Sequence, residues 1–89
     1  MMSTVLNALT HTGVARQGDW SLKAWPSASR GAWLVQVEHY LPQRGGWIRA
    51  WLAAGEGPQQ FRTLDAAFHA IEAFLSHPQW EHCQEFAGV

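Results

Sequence analysis

The sequence is poor in cysteine and in long apolar runs, and each shortage excludes a class of protein. Cys83 is the one cysteine among 89 residues, so no disulfide can form within the chain and a reducing compartment is expected. No stretch approaches the roughly 20 apolar residues that a membrane-spanning helix needs. The first residues also lack the basic start and apolar run of a signal peptide. We therefore predict a cytoplasmic protein that does not associate with membranes.

Charge is scarce as well. Charged residues make up 15% of the sequence and the formal net charge is −1, so the chain lacks the strong positive field with which dedicated nucleic-acid binders attract phosphates. Hydrophobic residues reach 47% and include six tryptophans, a composition typical of a globular protein. Because so short a chain cannot supply two independent cores, residues 1–89 are predicted to form one domain.

Motifs for catalysis and for cofactor binding are missing too. The sequence contains no GxSxG, glycine-rich phosphate loop or phosphoryl-transfer signature, so we predict neither an enzyme nor a bound cofactor. His77, His82 and Cys83 lie close together, but their spacing matches no standard zinc arrangement. No metal site is predicted, and Cys83 is expected to be a half-buried filler of apolar space.

What the sequence does contain is a clear pattern of helices at its two ends. In MMSTVLNAL the apolar residues recur at helical spacing, Ser3 or Thr4 is available as a cap, and the helix should end near Thr12. The strongest helical pattern covers residues 63–76, where the apolar side chains form one stripe. Beyond this helix, a further short one is predicted within residues 78–86.

Three runs between the helices alternate apolar and polar residues as strands do. They cover residues 20–25, 32–41 and 46–55, and PQRGG between the last two suits a hairpin loop. A three-stranded meander is barely stable alone, so the long helix must cover one of its faces. The predicted fold is α+β: a three-stranded antiparallel meander in the order α-β-β-β-α, with the long helix packed on one face.

The polarity of the strands decides which face is the core. Burying the polar side of the second strand would bury Gln36 and Glu38 without obvious partners, and burying the tryptophan side of the third would bury Arg49. The expected core face therefore carries Trp20, Leu22, Trp33, Val35, Val37, Ile48, Ala50 and Leu52. The opposite face, called here the outer face, is expected to carry Lys23, Trp25, Gln36, Glu38, Tyr40, Trp47, Arg49 and Trp51.

Such an aromatic outer face is typical of an interaction site, since contiguous exposed apolar surface usually marks one. We predict a non-catalytic module that binds a protein partner or forms a homodimer, with Arg49 able to stack on either neighbouring indole. The residues predicted to carry binding are Lys23, Trp25, Tyr40, Trp47, Arg49 and Trp51.

Three alternatives remain open from sequence. The N-terminal helix or the C-terminal segment with Trp80 and Phe86 could fold over the outer face and make it a second small core. Single-stranded nucleic acid could stack on the same aromatics while Arg30, Arg44 and Arg49 follow its backbone. A hydrophobic small-molecule site between helix and sheet is the third, although no convergent polar groups indicate it.

Two resemblances to known families bear on function. The helix–strand–strand–strand–helix order over residues 3–76 resembles the topology of the double-stranded RNA-binding domain. That family places a lysine cluster at the start of its last helix, whereas QQFRTLDAA here offers Arg62 alone beside Asp65, so RNA binding is not implied. The stretch FRTLDAAFHAI resembles the strand-to-helix turn of small accessory proteins of plasmids, integrative elements and phages. Such proteins, inhibitors of host defence systems among them, commonly act by binding.

Overall fold

The computed structural model describes residues 3–28, 31–55 and 57–86. The first element is helix α1, Thr4–Thr12. Ser3 caps it, since the Ser3 hydroxyl accepts a hydrogen bond from the Leu6 amide at 3.0 Å, and Gly13 ends it with a φ of 78°. That left-handed conformation favours glycine at a helix C-terminus, so the predicted bounds of this helix are confirmed.

An antiparallel sheet follows, which contains six strands within the described residues. The strands are β1 (Val14–Gln17), β2 (Trp20–Pro26), β3 (Trp33–Leu41), β4 (Gly46–Ala54), β5 (Gly57–Pro58) and β6 (Cys83–Glu85). The first four form a meander in chain order, and both β5 and β6 pair with the other edge of β4. A short 3-10 turn, Pro42–Arg44, connects β3 to β4.

The predicted three-stranded arrangement is therefore wrong in its strand count. Strand β1 was missed because four residues are too few to show a period, and it is held mainly by pairing with β2. The short helix predicted within residues 78–86 is also wrong: a 3-10 turn covers Trp80–His82, and the chain then becomes β6. The open edge of β4 offers hydrogen bonds that a short isolated helix cannot match.

The long helix α2 spans Leu64–Ser76, in agreement with its prediction. The Thr63 hydroxyl caps it by accepting from the Ala66 amide at 3.0 Å, and Asp65 in the first turn suits the positive end of the helix dipole. The helix ends just before His77, whose helical geometry the following Pro78 disfavours.

One hydrophobic core lies between the two helices and the inner face of the sheet. Its buried residues are Leu9, Ala15, Leu22, Val35, Val37, Leu52, Ala67, Ile71, Phe74 and Leu75. Trp20 and Trp33 are half-buried and pack against this cluster, Ala50 is buried, and Ile48 is half-buried. The residues that face the helices are therefore those predicted for the core face of the sheet. Both helices place their apolar stripes on this one side.

Candidate functional site: the outer face of the sheet

Neither helix covers the outer face. Leu9 of α1 and Ile71 of α2 belong to the same buried cluster as Leu22 and Val37, so both helices pack on the inner side. The alternative that α1 covers the outer face is therefore wrong. The C-terminal segment contributes to both sides of the sheet. Trp80 packs against the core, whereas Phe86 lies on the outer side and stacks on Trp51.

The strand register places all six predicted binding residues on this face. Directly opposed residues of antiparallel strands point to the same side of a sheet. Three transverse rows of outer-face residues follow: Lys23, Gln36 and Trp51; Ser21, Glu38 and Arg49; Tyr40 and Trp47. Trp25 extends the face at one end, opposite Leu34.

Three of these side chains are large, aromatic and open to solvent. Trp25 is 46% exposed, Tyr40 40% and Trp47 52%. Tyr40 and Trp47 contact each other, with ring centroids 5.4 Å apart. Trp25 lies at the opposite end of the face, since its partner Leu34 is six positions along β3 from Tyr40, a distance of about 20 Å along a strand. The exposed aromatics thus form two groups and not one continuous patch.

Trp51 differs from the other aromatic residues predicted to carry binding because a neighbour covers it. Its ring lies 4.6 Å from that of Phe86 in a stacked arrangement, and the Phe86 amide donates to the Arg49 carbonyl at 3.1 Å. Trp51 is half-buried as a result. The alternative of a small second core on the outer face is therefore right only at Trp51, which Phe86 covers beside the edge of β4 that pairs with β6.

A polar strip separates the two aromatic groups. The Arg49 Nε lies 3.6 Å from a Glu38 carboxylate oxygen, so Arg49 faces an acid. Among the described residues, the cation that lies over an indole is Lys23, 4.9 Å from the centre of the Trp25 ring. Gln36, expected in solvent, is 8% exposed because it lies directly between Lys23 and Trp51. Within the described residues no side-chain nitrogen or oxygen is buried without a hydrogen-bond partner.

A depression of about 320 Å³ opens at the Trp47 end of the face. Its walls are Arg16, Gly18, Trp20, Ser21, Glu38 and Trp47. Arg16 enters because β1 extends the sheet and places it opposite Ser21. Sequence reasoning missed Arg16 together with its strand, although Gly18 at the first position of a two-residue turn is a hairpin signal.

The inner side holds a second aromatic cluster, which belongs to the packing of the C-terminal segment. His39 stacks on Trp20 with centroids 3.7 Å apart, and Trp80 lies 5.3 Å from His39. Cys83 is half-buried nearby, as predicted, and burial raises the pKa of its thiol to about 12, with the charge of Glu81 as a smaller cause.

The described residues contain no group of three or more side chains that could hold a metal ion. In the same residues no helix is long and apolar enough to cross a membrane. Comparison of the chain with protein families, with curated proteins and with solved structures finds no match.

Proposed function

We propose that this protein is a small non-catalytic binding module that engages a protein partner, another protein or a second copy of itself, through the outer face. The observation that supports this most is the exposure of Trp25, Tyr40 and Trp47 on the one sheet face that neither helix covers. Tryptophan, tyrosine and arginine are the residue types enriched at the energetic centres of protein interfaces.

In this proposal the aromatic side chains are the anchors and the charged ones set complementarity. Trp47 and Tyr40 form one contact group, and Trp25 with Lys23 above its ring forms the other. Arg49 and Trp51 lie between them, so that a partner wide enough to reach both groups would cover the polar strip. Two groups about 20 Å apart suit a folded protein surface better than a small molecule.

A charge placed at the most exposed indole tests the proposal. Trp47→Glu should leave the circular-dichroism spectrum of the folded chain unchanged and abolish its self-association or its partner complex, measured by light scattering and sedimentation. Leu64→Glu is the matched control, because Leu64 is also a large exposed hydrophobic residue, 38% exposed, but lies on α2. Equal behaviour of the two variants, or unfolding of Trp47→Glu, would contradict the proposal.

The contacts of the arginines weaken the nucleic-acid alternative. Arg49 lies at Glu38, and both terminal nitrogens of Arg44 donate to the Glu85 carboxylate at 2.7 Å. Arg30 lies outside the described residues. Single-stranded binding stays a prediction, and a gel shift at low salt, where electrostatic binding is strongest, would detect it. A role as a mobile-element accessory protein or inhibitor also stays a prediction.

A further inference from the structure

Charge is divided unevenly between the outer face and the rest of the chain. The outer face carries the cations Arg16, Lys23 and Arg49 against one carboxylate, Glu38, a formal charge of +2. The other described residues carry two cations, Arg44 and Arg62, against five carboxylates, a formal charge of −3; these acids are Asp19, Asp65, Glu72, Glu81 and Glu85. A chain whose net charge is −1 thus presents a positive face.

A cation without a salt bridge lies in the depression beside Trp47, at the end of the face opposite Lys23. Arg44 and Arg49 each face an acid, whereas Arg16 forms no salt bridge with any residue in the described part of the chain. Arg16 and Ser21 line the same depression as Trp47. Glu38 lines it too, but Arg49 lies beside that carboxylate and offsets its charge.

The charge distribution argues against a symmetric pairing of two outer faces. A two-fold dimer through this face would bring one +2 surface against another, and like charges brought together across an interface cost affinity. A partner with carboxylates among its apolar side chains meets no such cost.

Extension of the sheet is hindered on the same side. The Thr12 hydroxyl accepts from the Val14 amide at 3.3 Å, and its one proton is within reach of both the Ala8 carbonyl at 2.8 Å and the Val14 carbonyl at 3.0 Å. The Val14 amide of the edge strand β1 is therefore occupied, and an added strand would have to displace Thr12 before it could pair at Val14. This obstacle at Val14 favours docking through side-chain contact with the outer face over extension of the sheet along β1.

We infer that the outer face docks an acidic polypeptide segment of another protein, with one of its carboxylates at Arg16 in the depression and an adjoining apolar side chain on Trp47. The inference rests on the proposed function and names the partner's chemistry. A volume of about 320 Å³ accommodates one or two side chains, and a carboxylate is the natural partner of a guanidinium.

The experiment uses a short acetylated peptide that alternates glutamate with leucine and phenylalanine, and a copy with glutamine in place of every glutamate. Binding to the full chain is measured by fluorescence anisotropy of the labelled peptides at low and at physiological salt. The acidic peptide should bind about tenfold or more tightly than the glutamine copy, and added salt should narrow this difference.

Two charge reversals locate the contact. Arg16→Glu should weaken binding of the acidic peptide about tenfold or more, whereas Arg62→Glu, which makes the same change of net charge before α2, should change it less than about twofold. Arg16→Gln should lie between wild type and Arg16→Glu. Circular dichroism confirms that each variant is folded.

Each contrary result is decisive. Absence of binding, equal binding of the two peptides, or equal losses in Arg16→Glu and Arg62→Glu would overturn the inference. A homodimer that Trp47→Glu dissociates would overturn it and leave the proposed function standing. Preferential binding of oligo-deoxythymidine at the same face would overturn both.

Discussion

Truncation of Phe86 to alanine should release strand β6 from the sheet while the remainder of the domain stays folded. Strand β6 has three residues and pairs with β4 alone among the described strands. Its end is held by the stack of Phe86 on Trp51, with centroids 4.6 Å apart. Cys83 packs against the edge of the buried cluster that joins the helices to the sheet, but no residue of β6 is a buried member of it, so we expect the cluster to stay in place when β6 opens.

The magnitude follows from the stacked pair. Aromatic contacts of this kind contribute about 0.5 to 1.5 kcal/mol beyond the burial of their area. Loss of that contribution raises the equilibrium constant for local opening by a factor of about 2 to 13, since about 1.4 kcal/mol corresponds to tenfold. The lost burial of Phe86 adds to this, so the range is a lower bound.

Cys83 reports the opening, because it is the first residue of β6. Burial raises the pKa of its thiol to about 12 in the folded chain, from an ordinary value of 9.0, and the thiolate is the reactive form. Release of β6 restores the ordinary pKa. The rate of reaction with an aromatic disulfide reagent at mildly alkaline pH should therefore rise in Phe86→Ala by the factor given above, provided that reclosing is fast compared with the reaction.

Arg44→Ala is the control variant, because Arg44 forms an ion pair with Glu85 of β6. It removes an ion pair whose two partners are both exposed, and such pairs contribute little, so its effect on the rate should be smaller. Global stability is measured in parallel by urea unfolding followed by circular dichroism. An unchanged rate in Phe86→Ala, or a rise that equals the change in its global unfolding constant, would refute the separate opening of β6.

Two further predictions concern the stability of the whole domain. Ile71 of α2 is fully buried in the core, so Ile71→Ala should lower the free energy of unfolding by about 2 to 5 kcal/mol, and urea unfolding with an unchanged denaturant slope checks this. The pKa of Cys83 is higher in the folded chain than in the unfolded one. The stability that the protonated thiol provides is therefore complete below pH 9.0 and is lost as the pH rises toward about 12. The free energy of unfolding of Cys83→Ala should therefore fall less steeply with rising alkaline pH than that of the wild type. A steeper fall in the variant would contradict the raised pKa of Cys83.

Helix bounds were predictable because their signals are local. Ser3 and Gly13 satisfy the ends of α1, and Thr63 caps α2, each through groups within a few residues in the chain. Strand polarity was predictable for a related reason: the cost of burying Glu38 or Arg49 can be judged from the sequence alone. The same reasoning placed every predicted binding residue on the outer face.

The missed elements depend on distant partners. Strand β1 has one buried residue, Ala15, and its four residues show no period of their own. In the last segment Trp80, Cys83 and Phe86 recur at helical steps, yet the hydrogen bonds offered by the edge of β4 favour a strand. Both errors changed the candidate site, because β1 brings Arg16 to the outer face and β6 brings Phe86 onto Trp51.

The position of Phe86 connects the stability of β6 to the extent of the outer face. While β6 is paired, Trp51 is covered by Phe86 and the exposed aromatics remain in two separate groups. Release of β6 uncovers Trp51, which lies one row from Trp25 and is separated from Trp47 by the row of Glu38 and Arg49, so the outer face gains a third exposed indole. Under the proposed function, a partner that reaches across the whole face should bind the opened form more tightly than the closed one. By linkage, such a partner should accelerate the reaction of Cys83, whereas a partner confined to the depression at Arg16 and Trp47 should leave that rate unchanged.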